Sequence, residues 1–118
     1  MENAQKLLAE WQKRLGLQEW RIKLYTNCTE EETDESSGLT VWQEVTKTAR
    51  IMILDPKYYG ERVVPFDFEK TLVHELLHLK TCLLTSNCDD LQERVGHMLI
   101  DDISRALIDA KRFKKTDS

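Results

Sequence analysis

Leu72-Val73-His74-Glu75-Leu76-Leu77-His78-Leu79 is the stretch on which the reading of this chain turns. His74 and His78 stand four residues apart, so on a helix both rings leave one face about one turn from each other. Two imidazole nitrogens placed that way can reach a single Zn²⁺ at ~2.0–2.1 Å. Glu75 lies one residue along, about 100° further round the helix. There it can approach the open side of the metal without ligating it and take a proton from water. This division of labour explains why the spacing is His-Glu-x-x-His and not merely His-x-x-x-His. Leucine and valine flank the motif, and two of the chain's three histidines fall inside it. As ordinary helix residues, three polar groups so close to a core would each need a partner at a cost of kcal/mol if unmet; one metal ion satisfies them together.

The surroundings place the motif in the middle of a helix. Asp67 is a candidate N-cap, although Lys70 stands where a capping box would have Glu or Gln. The helix should run to about Leu84, with Leu72, Leu76, Leu79 and Leu83 as its apolar stripe. Upstream, residues 2–15 read as an amphipathic helix carrying Leu7, Leu8, Trp11 and Leu15 on one side, stopped by Gly16. Residues 20–25 alternate as a half-buried strand, with Trp20, Ile22 and Leu24 facing one way. Two more strands follow an acidic loop (Thr29 to Ser37): Thr40 to Val45, and Ala49 to Leu54, which Asp55-Pro56 ends. Lys57 to Pro65 reads as a loop. Downstream, a polar loop from Thr85 to Asp89 leads to a last helix, about Asp90 to Arg112, with Leu91, Val95, Leu99, Ala106 and Ala110 expected on its packing side. The order helix, three strands, helix, helix predicts an α+β domain in which a small sheet packs on helices. One domain is expected for a chain of 118 residues.

Catalytic zinc takes three protein ligands and leaves a fourth position open. The third ligand must come from downstream, where Cys88, Asp89, Asp90, Glu93 and His97 are candidates. Glu93 is the first choice. It follows His78 by fifteen residues, enough for the motif helix to end and for the first turn of the next helix to return to the metal. Cys88 and Asp90 are its rivals. His97, one turn after Glu93, is expected to orient a ligand by hydrogen bonding rather than to ligate.

Composition narrows the partners. A formal net charge of −4 argues against nucleic acid, which needs a concentrated positive face. The basic cluster Lys111, Arg112, Lys114 and Lys115 suits the negative end of a helix dipole. No apolar run approaches the roughly 20 residues of a membrane span, and the opening Met1-Glu2-Asn3-Ala4-Gln5-Lys6 has no apolar signal core. Three cysteines (Cys28, Cys82, Cys88) without tight pairing predict free thiols in a reducing cytoplasm.

His74-Glu75-Leu76-Leu77-His78 followed by Glu93 resembles the gluzincin metallopeptidases, whose third ligand is a glutamate on a later helix. In larger members that glutamate opens a Glu-x-x-x-Asp turn whose Asp supports a zinc histidine; the matching position here is His97. Trp20-Arg21-Ile22, Ala49-Arg50-Ile51-Met52-Ile53 and Thr71-Leu72-Val73-His74 also follow the order seen in compact metallopeptidase-like proteins of phages and prophages. The resemblance spans nearly the whole chain, and it implies a minimal zincin-like fold. It further implies Zn²⁺ on His74, His78 and Glu93, with Glu75 as general base and a peptide or protein as substrate. The peptide is expected to add to an exposed edge of the sheet, at the Ala49 to Leu54 strand. Tyr58 and Tyr59 are weighed as oxyanion donors, with ordinary loop packing preferred. Two other readings stand beside this one. The first is a non-catalytic domain that zinc stabilises and that binds another protein. The second is a DNA-associated peptidase like the SprT-like group, which the acidic balance disfavours.

Overall fold

The computed structural model describes residues 2–85 and 89–113, without the side chains at 2, 83–85 and 90. Cys88, Lys114, Lys115 and the side chains of Leu83 and Asp90 therefore lie outside the described residues. The architecture is α+β: three helices and a three-stranded mixed sheet.

Helix α1 spans Glu2–Arg14 and buries Ala4, Leu8 and Trp11, one helical face. Gly16 ends it at φ 70, the left-handed conformation that only glycine adopts without strain. The amide of Leu17 returns to the carbonyl of Gln12 and that of Gly16 to Lys13, so a Schellman turn closes the helix.

The strands are β1 (Arg21–Cys28), β2 (Gly38–Gln43) and β3 (Thr48–Leu54), in the order β1-β3-β2. β1 runs parallel to β3, with Leu24 opposite Ile51, and β2 antiparallel, with Thr40 opposite Ile51. Near its end β1 shifts register between Tyr25 and Cys28, where Asn27 adopts φ 56. Among the described residues, one face of the sheet is covered and the other is open. Ala49, Ile51 and Ile53 are buried against the helices while Lys23, Tyr25, Val41 and Arg50 face solvent, the one-sided pattern alternation predicts. One expectation is corrected here. The Ala49 to Leu54 strand is the middle of the sheet, paired on both sides, and offers no free edge. As the most β-branched of the three strands, with Ile51 and Ile53 essentially inaccessible, it loses least by being enclosed. The edge beside the motif helix belongs to β2.

A single turn of 3₁₀-helix at Pro56–Tyr58, capped by the Asp55 carboxylate, leads into the connection to α2 (Phe68–Thr85). Asp67 caps α2 as expected, its Oδ1 accepting the amide of Lys70 at 3.2 Å. Leu72, Val73, Leu76, Leu77 and Leu79 seat α2 on the sheet and on α1 in one contiguous core with Trp11, Trp20 and Ile51.

Helix α3 (Asp90–Phe113) packs on α2, but not by the side that its apolar residues suggest. Leu91, Val95 and Leu99 are 65%, 46% and 55% exposed, and Ala106 and Ala110 are exposed as well. Ile100, Ser104 and Ile108 are buried in their place. α3 carries two apolar stripes, and periodicity alone cannot rank them. The buried one shares its face with Lys111, which thereby reaches Glu10 at 3.1 Å and also contacts Glu69. Arg112 meanwhile forms a bidentate pair with Asp67 at 2.6 and 3.0 Å. The basic C-terminal turn of α3 thus meets the acidic N-terminal turn of α2, which suits the dipoles of both.

Candidate metal centre

His74 and His78 stand one turn apart on α2, their ring centroids 5.1 Å from each other. α3 crosses beside them and brings His97 to 4.9 Å from His78 and 6.4 Å from His74. Among the described residues, the group whose donor atoms converge is His74, His78 and His97, each offering one ring nitrogen and all three nitrogens lying within 4.8 Å of one another. Tetrahedral ligands at ~2.0–2.1 Å from one ion stand about 3.4 Å apart, so the three rings need close in only modestly.

The protonation states suit ligation. Burial pushes His78 down to about 4, helped by the neighbouring His74 and His97. Burial also lowers His74, against the pull of Asp101 and with further lowering from His97 and Lys70. Both shifts favour the neutral ring with its free lone pair, the form in which imidazole binds metal.

Glu75 is buried at 6% exposure and lines the same cleft as the three histidines. Thr40 on β2 donates to its Oε1 at 2.6 Å. Removal from water raises its carboxyl to about 7, and the Thr40 bond only partly opposes this. Gly38 makes room for it: a Cβ there would stand 2.9 Å from Glu75 Oε2 and 3.0 Å from Thr71 Cγ2. The sequence reading missed both Thr40 and Gly38, because nothing local in β2 marks them; only the pairing of β2 with α2 does.

Asp101 was missed as well. One turn after His97, it lies 3.6 Å from His74 Nδ1, 3.5 Å from Lys70 Nζ and 3.4 Å from Arg105 Nε. A carboxylate at the far nitrogen of a ligating histidine fixes the ring's tautomer and raises its basicity. The signal available in sequence was the spacing His97-x-x-x-Asp101, the form that Glu93 was expected to head.

The other candidates fall as follows. Glu93 lines the cleft, its side chain 61% exposed and Oε1 3.9 Å from His97 Nε2, but it does not join the converging nitrogens. Asp89 is committed elsewhere, its Oδ1 accepting the amide of Gln92 at 2.8 Å as an N-cap of α3. Tyr59 forms part of the cleft wall, with its hydroxyl donated to the carbonyl of Val64 at 2.7 Å and its ring edge-on to Phe66. Tyr58 stacks against Lys57.

The cleft holds about 810 Å³, within the range of small-ligand and peptide sites. β2 from Gly38 to Thr40 forms one wall, Tyr59 with Val64, Pro65 and Phe66 a second, and α2 with α3 the floor. Comparisons with protein families, curated proteins and solved structures return no significant match. Among the described residues no helix is long and apolar enough to cross a membrane.

Proposed function

We propose that this chain is a minimal, zincin-like zinc metallopeptidase in which His74, His78 and a side chain of α3 hold the ion and Glu75 moves the proton. The observation that carries this reading is a buried carboxyl, poised near neutrality, opening on the same cleft as three convergent imidazoles. Zinc, when bound, polarises water and the scissile carbonyl. Glu75 takes the proton from the attacking water and hands it to the leaving amine. Thr40 holds Glu75 Oε1 and so sets the carboxyl's orientation. The free edge of β2 lies along the cleft, where an extended peptide can add as a further strand. The third donor is His97 by convergence and Glu93 by the gluzincin pattern.

The test is hydrolysis of an unfolded protein substrate by the zinc-loaded chain, wild type against Glu75→Gln. The variant should keep its zinc and lose at least 10²-fold in rate, the scale of a positioned acid–base group. Cleavage that survives the substitution would remove Glu75 as the base.

One observation favours a second reading, a closed structural zinc site in a protein-binding domain. Glu93 stands beside His97, so α3 has a fourth donor within reach of the histidine group. The two readings part on zinc affinity. In the catalytic one only one of His97→Ala and Glu93→Ala weakens zinc binding strongly, and in the structural one both do. Chelator competition measures it.

A further inference from the structure

We propose that the outward face of α3 is a self-association surface, on which two copies of this chain pair antiparallel through Leu91, Val95, Met98, Leu99 and Ile103. These side chains are 65%, 46%, 61%, 55% and 47% exposed. They recur at helical spacing over a little more than three turns and so form one continuous stripe. Isolated exposed apolar residues are ordinary; five in a row on one helix face mark an interaction site. Ala106 and Ala110 extend the stripe with exposed small residues, over which two helix backbones can approach closely.

The charges beside the stripe identify the occupant. Arg94 flanks its beginning and Asp102 its later part, on the same side of the helix and both exposed. In an antiparallel pair with its two-fold axis near Met98 and Leu99, Arg94 of each copy faces Asp102 of the other, making two symmetric contacts. A parallel two-fold pair would set each flank against the partner's opposite flank and keep Arg94 and Asp102 about 12 Å apart along the axis, so the two could not meet. Asp102 is already held by Arg105 of its own chain, which fixes the carboxylate on the rim. A stripe bearing both signs in this order is complementary to itself, the requirement of a two-fold interface. Antiparallel pairing also opposes the two helix dipoles. About half-exposed, the five side chains offer on the order of 500 Å² per copy, so the pair buries about 1,000 Å², the lower edge of specific interfaces. The dimer is therefore weak and depends on concentration.

Sedimentation equilibrium over a concentration series, run once with zinc and once in excess chelator, tests this whether or not the chain holds a metal. The weight-average mass should rise from 13.9 kDa toward twice that value. Leu99→Glu should hold the chain at the monomer mass with an unchanged circular dichroism spectrum. Arg94→Asp should weaken association at least tenfold, and Arg94→Asp combined with Asp102→Arg should recover it. A monomer mass throughout the series, or a dimer that Leu99→Glu leaves intact, overturns the proposal.

Discussion

Asp101 ties the histidine cluster to the charged residues around it. It stands near His74 Nδ1, Lys70 and Arg105 at once. Its carboxylate can hold the His74 ring in the tautomer that leaves the other nitrogen unprotonated. Asp101→Ala is expected to lower zinc affinity 10- to 100-fold, the usual cost of losing such a partner. Asp101→Asn, which keeps a hydrogen-bond acceptor, should lose less. Chelator competition gives the affinities, and the histidine ring resonances give the tautomer; equal affinity in wild type and Asp101→Ala would show that the carboxylate serves only Lys70 and Arg105. Among single residues, the spacing of His74, Glu75 and His78 was legible because one helical turn sets their geometry. Thr40, Gly38 and Asp101 were not, since each acts across a contact between elements far apart in the chain.

α3 is two structures in one helix. Its buried anchors are Ile100, Ser104 and Ile108, and its long-range ion pairs, other than those of Asp101, run from Lys111 and Arg112. No residue from Leu91 to Leu99 is buried, and this half meets the body at the cleft through Glu93, Gly96 and His97. Few buried contacts mean local opening at low free energy. Zinc that takes a ligand from this half must tie it to α2, because ligand binding stabilises the conformation that binds. Hydrogen exchange is accordingly expected to slow at least tenfold on zinc addition in residues 91–99, and to change little in residues 100–112. Uniform slowing along α3 would contradict this division. The packing side of α3 was misread from sequence for a related reason: the Leu91, Val95 and Leu99 stripe is the more apolar, whereas the body takes the stripe that brings Lys111 and Arg112 to Glu10, Glu69 and Asp67.

Those ion pairs join all three helices and contribute to the whole molecule's response to acid. Hydrogen bonding to Arg112 holds Asp67 below its ordinary value. Burial alone would raise Glu69, but its bonds from Lys111 and Trp11 outweigh that and bring it down. A carboxylate whose folded pKa is depressed adds stability above its unfolded value, and loses that stability as pH falls through the folded one. The melting temperature should therefore drop as pH is lowered below about 4, the unfolded carboxylate value. Asp67→Asn, which retains the N-cap oxygen, should fall less steeply there and cost less than about 1 kcal/mol at pH 7, because Arg112 is half in water. An acid limb identical in wild type and variant would exclude Asp67 from it. Local patterns read along the chain determined the three helices, the three strands, the Asp67 cap, the Gly16 stop and the pairing of His74 with His78. Each depends on residues within a turn or two of one another. Which strand lies in the middle, which stripe of α3 is buried and how near His97 comes to His74 and His78 emerged only when the elements packed. These depend on contacts between distant parts of the chain, and periodicity carries no information about which of two suitable faces a neighbour will cover.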